Sequence, residues 1–307
     1  MATTKNEIAK NEMIYDHNHD GIDRRGFLRC MAWAGTGATC VLNGGVLTSH
    51  ALGHGDKHGV QIPKGELAFV QISDSHMGFD KPANPDVVAT FQAAIDKINA
   101  LPVAPEFILH TGDVSHLAKA AQFDNVQQIL KSARASDVFC VPGEHDLVGD
   151  DGAQFRERFG KSTLGAGWYS FDKKGVHFVG LVNVADLKAG GLGSPGSEQL
   201  AWLEKDLKPL KNSTPVVVFA HIPLWTIYPD WGWGTDDSAQ ALGYLKRFGS
   251  VTVLNGHIHQ TMQKVEGNVT FTQRVRLRFP NRTFAKPGTY TYFCSIHPKM
   301  TAKVVVQ

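Results

Sequence analysis

Five times along this chain a short apolar run ends in a turn that carries an acid or an imidazole. Leu67–Ile72 leads into Ser73-Asp74-Ser75-His76, and 107–109 into His110-Thr111-Gly112-Asp113. Run 138–141 leads into Pro142-Gly143-Glu144-His145-Asp146, Val216–Phe219 into Ala220-His221, and 251–254 into Asn255-Gly256-His257-Ile258-His259. Runs this short, bounded by turn residues, predict buried strands, and 176–182 predicts another. Between them, Val87, Val88, Phe91, Ala94, Ile95 and Ile98 keep helical spacing, with Asn84-Pro85 as the expected start. Phe123, Val126, Ile129, Leu130 and Ala133 predict a second helix. Leu200, Leu203, Leu207 and Leu210 predict a third, after the Gly/Ser/Pro-rich loop 190–197. Strands alternating with helices predict an α/β layered fold, and in open α/β sheets ligand sites form at the carboxyl ends of the strands.

The residue types narrow the chemistry. Carboxylates and neutral imidazoles suit borderline first-row metals such as Zn, Mn and Fe. Two residues apart along an extended segment, side chains return to one side, so Asp74 and His76 can face one metal, and His257 and His259 can straddle a pair. Gly112, Gly143 and Gly256 permit close approach of the backbone. Any one of these turns is weak as a signal. An ordered set of D-x-H, G-D, G-x-H-D, a strand-end His and G-H-x-H has no reason to arise from independent turns. Ser73 and Ser75 offer no competing nucleophile, because no base is evident beyond the same histidines.

The ordered set resembles the calcineurin-like metallophosphoesterase family over residues 66–273. The resemblance implies a four-layer α/β/β/α sandwich holding two divalent metal ions. Asp74, His76, Asp113 and His259 would hold the first ion. Asp113 would bridge to the second, which also takes Glu144, His221 and His257. A metal-bridging hydroxide would then hydrolyse small phosphomonoesters or phosphodiesters. His145 would protonate the leaving oxygen, and Asp146 would orient His145 by a hydrogen bond. Glu144 departs from the pattern, since the family usually has Asn there. With Asp74 and Asp113 it brings three negative charges against the four positive charges of two divalent ions. A hydroxide makes that formally zero, where Asn would leave +1. Glu144 therefore also marks an alternative, a catalytically weak metal-binding protein.

Both ends differ from the body. Asp23-Arg24-Arg25-Gly26-Phe27-Leu28 precedes a Gly- and Ala-rich apolar stretch, 31–47, and then Ser49-His50-Ala51. This looks like a twin-arginine signal peptide over 1–51. It implies the export machinery as a partner, a periplasmic or secreted location, and no stable membrane insertion after cleavage. Residues 52–266 carry 19 basic and 24 acidic side chains, whereas 267–307 carry seven basic and no acidic ones. The acidic balance of the body gives no reason to expect nucleic acid as a partner.

In the tail, 274–307, Cys294, His297 and Met300 have the C-x-x-H-x-x-M spacing of a blue-copper loop, followed by the strand-like run 302–306. The tail resembles the C-terminal end of a cupredoxin, truncated, and suggests a copper-binding electron-transfer protein as a further alternative. Such a site needs a second histidine from upstream, and none occurs between His259 and His297. The tail is therefore expected to bind Cu(II) poorly. Cys140 and Cys294 differ too much in context to predict a disulfide. Trp225, Tyr228, Trp231 and Trp233 crowd one loop, where aromatic self-packing needs no ligand.

Overall fold

The structure is a computed structural model that describes residues 38–43, 46–51, 66–81, 84–259, 262–273, 288–293 and 301–306. Arg24-Arg25 and Cys294, His297 and Met300 lie outside them.

The strands are β1 (Ala38–Asn43), β2 (Val46–Ala51), β3 (Leu67–Ile72), β4 (Phe107–His110), β5 (Asp137–Cys140), β6 (Tyr169–Lys173), β7 (Val176–Gly180), β8 (Val216–Phe219), β9 (Val251–Asn255), β10 (Met262–Glu266), β11 (Val269–Gln273), β12 (Gly288–Phe293) and β13 (Thr301–Val306). The α-helices are α1 (Val87–Asn99), α2 (Ala120–Leu130), α3 (Ala153–Phe159), α4 (Gly196–Leu207) and α5 (Ser238–Leu245). One sheet runs β2-β1-β3-β4-β5 and the other β10-β11-β9-β8-β7-β6, while β12 and β13 pair as a hairpin. In the first sheet β3, β4 and β5 are parallel, and in the second β7, β8 and β9 are. The site-bearing turns thus leave each sheet at its carboxyl edge.

Side-chain alternation on these strands builds four layers. Phe69 and Phe107 stack at 5.0 Å, and Phe178 meets both edge-on, so the inner faces of the two sheets close on one aromatic core. Val70, Ile72 and Ile108 point the other way, onto Phe91 and Ile95 of α1 and Phe123 and Val126 of α2. On the second sheet Val179, Val218 and Val253 pack on Leu200, Leu203 and Leu207 of α4 and on Leu245 of α5. The order is helix, sheet, sheet, helix. Helix α1 begins two residues after Asn84-Pro85, because the Asp86 side chain accepts the Ala89 N–H at 2.9 Å and caps the first turn.

The strand at the edge of β3 comes from the expected leader. Residues Ala38–Asn43 pair antiparallel with β3, and Cys40 is buried in the inter-sheet core. Removal of residues 1–51 takes β1 and β2 with it. Cys140 is a free thiol.

On the outer face of the second sheet a histidine is clamped between two carboxylates. Nδ1 of His177 lies 2.9 Å from Asp172 and Nε2 lies 2.9 Å from Asp206 of α4, to which Ser170 also donates. Burial opposes the charged imidazole, but the hydrogen bonds to Asp206 and Asp172 outweigh it and raise the pKa above the ordinary histidine value. Stability from this clamp is full below the unfolded pKa of about 6.5 and is lost as pH rises through the raised folded value. We expect the wild type to lose on the order of 1 kcal/mol more between pH 6 and pH 9 than His177→Gln, Asp172 being solvent-screened. Urea melts of both proteins at the two pH values read this, and parallel pH profiles would contradict it.

Candidate metal centre

Each turn is shaped by its strand and locked to its neighbours. Thr111 N–H reaches Ile72 O, Asp74 N–H reaches Gly112 O, His76 N–H reaches Asp113 O, and Gly256 N–H reaches His221 O. These bonds zip the first turn to the second in one sheet and the fourth to the fifth in the other. Five of the seven expected ligands, Asp74, His76, Asp113, His257 and His259, sit at positive φ between 40 and 76°. Non-glycine residues adopt that region at about 1–2 kcal/mol each. Such strain concentrates where a site demands it.

The seven side chains meet in two groups. Asp74, His76 and His259 form one, and Glu144, His221 and His257 the other. Asp113 stands between them. Its Oδ2 is 3.4 Å from Nε2 of His76 and 3.3 Å from Nε2 of His221. In the first group Nε2 of His259 is 3.2 Å from Asp74 Oδ1 and 3.4 Å from Nε2 of His76. In the second, the Glu144 carboxylate lies 3.0 Å from Nε2 of His221 and 2.9 Å from Nδ1 of His257.

The donor set fits divalent cations. A tetrahedral ion with bonds of about 2.1 Å spaces its ligand atoms about 3.4 Å apart, close to these separations. Among the described residues Asp74 Oδ2 is buried with no hydrogen-bond partner, and Glu144 Oε2 and His221 Nε2, buried 3.0 Å apart, make no well-directed hydrogen bond. Buried polar atoms without partners are costly, and a bound cation would satisfy these. The tautomer of His221 is set for this role, since its Nδ1 donates to Thr111 O at 2.7 Å and leaves Nε2 toward the carboxylates. Electrostatics agree. Burial disfavours charge on Asp74 and Asp113, but neighbouring imidazoles hold both carboxyls below the ordinary range. Burial likewise opposes a charged His221, yet Asp113 and Glu144 hold its pKa well above normal. Positive charge, as protons or as metal, is what these atoms require. Asp74, His76, Asp113 and His221 are almost fully buried, whereas Glu144, His257 and His259 keep 22, 13 and 14% exposure and mark the open side.

His145 lies beside both groups. Its ring sits 4.8 Å from that of His76, and its backbone N–H donates to Asp113 Oδ1 at 3.1 Å. Its ring Nδ1 donates to the carbonyl of His116 at 2.8 Å. The hydrogen bond expected from Asp146 is therefore replaced by one to His116. The Asp146 carboxylate instead accepts from the N–H groups of Val114, Ser115 and Gly143 and from the Ser115 hydroxyl, at 2.7–3.0 Å. It ties the Asp113 turn to the Glu144 turn, so it acts on the site through backbone.

His116 is absent from the sequence-based set. Its ring stacks on His145 with centroids 4.9 Å apart and approaches His76 at 5.6 Å. Its place three residues after Asp113, in G-D-x-x-H, was the available signal. His110 lies behind the site, fully buried, with Nε2 2.9 Å from Ser75 Oγ, and burial lowers its pKa to about 4.

The aromatic loop packs mainly on itself and on the core. Trp225 lies 4.8 Å from Phe271, Trp231 lies 5.2 Å from Trp233, and Tyr228 lies 4.6 Å from Trp231. Gly193 N–H to Gly234 O and Asp236 N–H to Gly193 O tie it to the 186–196 loop.

The chain is similar to several known proteins. A 3',5'-cyclic-nucleotide phosphodiesterase of Nostoc sp. is 25% identical over 213 residues, 67% of this chain and 76% of the relative. The serine/threonine-protein phosphatase CPPED1 of Danio rerio is 26% identical over 224 residues, 64% and 71% of the two chains. Among solved structures, a dimetal phosphatase from Danio rerio superposes with a TM-score of 0.50 at 15% identity, covering 67% of this chain and 86% of that one. A purple acid phosphatase from yellow lupin gives 0.51 at 14% identity, covering 68% and 46%. Residues 67–261, well over half of the chain and the span that holds all seven clustered side chains, match the calcineurin-like phosphoesterase family, and the protein belongs to that family of ester-bond hydrolases.

Proposed function

We propose that this chain hydrolyses phosphomonoesters or phosphodiesters at a pair of divalent cations, Fe, Mn or Zn. Asp74, His76 and His259 would hold one, Glu144, His221 and His257 the other, and Asp113 both. The observation that carries this reading is the position of Asp113 Oδ2, almost equidistant from an imidazole of each group. The names of the two curated relatives, a cyclic-nucleotide phosphodiesterase and a protein phosphatase, support both ester classes.

Two divalent cations held there would supply Lewis acidity toward phosphoryl oxygens and would lower the pKa of water toward neutrality. The chain's own residues do the rest. Glu144, His257 and His259 border the open side and frame the approach of the ester. His145 has Nδ1 committed to the His116 carbonyl, which leaves Nε2 to carry a proton to the departing oxygen. In the metal-free site burial opposes a charged His145, and Asp113 and Glu144, helped by the His116 carbonyl, raise its pKa.

The test is element analysis of purified protein alongside turnover of aryl phosphate mono- and diesters. We expect two first-row cations per chain and metal-dependent release of the aryl alcohol. His145→Ala should keep both cations and lose about 10²–10⁴-fold in kcat. Protein with two cations that turns over neither ester would end this reading, and an unchanged kcat in His145→Ala would remove His145 as the acid.

We also propose export by the twin-arginine machinery to the periplasm or beyond, on the strength of Arg24-Arg25-Gly26-Phe27-Leu28 and Ser49-His50-Ala51. The mass of protein recovered from the periplasm reads this directly. Full-length protein confined to the cytoplasm would contradict it.

A further inference from the structure

Glu144 opens a 3-10 turn, Glu144–Leu147, and its carboxylate spans two imidazoles of one group, His257 at 2.9 Å and His221 at 3.0 Å. It is the most exposed of the clustered carboxylates, so it is the negative charge an incoming ester meets first. Among the described residues the cationic partners of Asp74, Asp113 and Glu144 are imidazoles, and no lysine or arginine pairs with any of them. The body around the centre is acidic, with 24 acidic against 19 basic side chains over 52–266. Two divalent cations set against three carboxylates leave a single positive charge before any solvent ligand is counted, and among the described residues no guanidinium or ammonium pairs there to add to it.

We propose that Glu144 sets substrate class by charge, favouring monoanionic phosphodiesters over dianionic phosphomonoesters. The proposal rests on the two-cation reading above. Coulomb energy scales with the product of the charges, so each positive charge withheld from the centre costs a dianion about twice what it costs a monoanion. A glutamine at this position keeps the length and a ligating oxygen and restores one positive charge. Phosphomonoesters should gain most.

The full chain, loaded with Mn²⁺ in excess, is compared as wild type, Glu144→Gln and Glu144→Asn at pH 8. Three quantities are read: cations per chain, kcat/KM for p-nitrophenyl phosphate against bis(p-nitrophenyl) phosphate, and calorimetric affinity for inorganic phosphate against dimethyl phosphate. We expect the wild type to prefer the diester. Both variants should shift the monoester-to-diester ratio toward the monoester by on the order of 10- to 100-fold, with inorganic phosphate tightening relative to dimethyl phosphate. Two cations per chain with both ratios unmoved in either variant would overturn the proposal. So would a wild type that prefers the monoester. If the wild type binds two cations and hydrolyses neither ester, the hydrolase reading fails, and the ratio of anion affinities still decides the role of Glu144.

Discussion

Asp113→Ala should leave at most one tightly held cation per chain and lower kcat/KM for aryl phosphoesters by more than about 10³-fold. Removing a single stabilising donor from an active site costs about 10²–10³-fold, and Asp113 serves more than one purpose. Its Oδ2 faces both His76 and His221, so both cation positions lose a ligand together. Its Oδ1 accepts the His145 N–H, so the turn that carries the proton donor loses an anchor as well. Element analysis and steady-state rates check the result, with circular dichroism to show that the fold survives. A variant that keeps both cations and most of its rate would show that Asp113 does not join the two positions.

The metal constellation was legible because its turns follow strands that are hard to mistake. Val216–Phe219 is an uninterrupted apolar run because β8 is parallel to both neighbours and buried on both faces, and its predicted and observed limits coincide. Elements at the margins left weaker traces. Edge strand β6 alternates Tyr and Phe with Ser, Asp and Lys, and edge strand β10 leaves Val265 65% exposed. Helix α3 buries only Phe155, too little for a helical period to register, and α5 is short and interrupted by Gly243.

The role of Asp146 was not legible, and that of His116 left only its G-D-x-x-H spacing as a trace. Both depend on distances across turns, since the N–H groups that Asp146 accepts come from residues 31 and 32 positions earlier as well as from its own turn. Spacing in sequence locates a carboxylate beside a histidine, but it does not say which one the carboxylate serves. The leader reading and β1 illustrate the same limit. An apolar, Gly- and Ala-rich stretch satisfies a signal peptide and also fills a sheet edge, and periodicity does not separate the two.

Gly143→Ala should be nearly as damaging as Asp113→Ala, although it removes no ligand. The backbone at Gly143 has φ −98° and ψ 179°, a conformation open to alanine, so conformational strain is not the cause. The obstacle is space. An added Cβ would lie 2.1 Å from Asp113 Oδ1 and 2.4 Å from Asp113 N. Neither atom has room to yield. The Asp113 backbone is held at φ 52°, its carbonyl accepts from His76 N–H, and the next two N–H groups are bound by Asp146. The methyl group must therefore push the Glu144 turn away from the Asp113 turn, separating Glu144 and His145 from the rest of the centre. We expect loss of about 1–3 kcal/mol of stability, as for an overpacked core, and a fall of more than about 10²-fold in kcat/KM with weakened metal retention. Gly175→Ala is the control. Its φ of +77° makes alanine strained, but nothing lies within 4 Å of the added Cβ, and Gly175 sits between β6 and β7, outside the site-bearing turns. It should cost about 1 kcal/mol and leave metal content and rate intact. If Gly143→Ala holds both cations at wild-type strength while Gly175→Ala loses stability as expected, close contact between the two turns is not what assembles the centre.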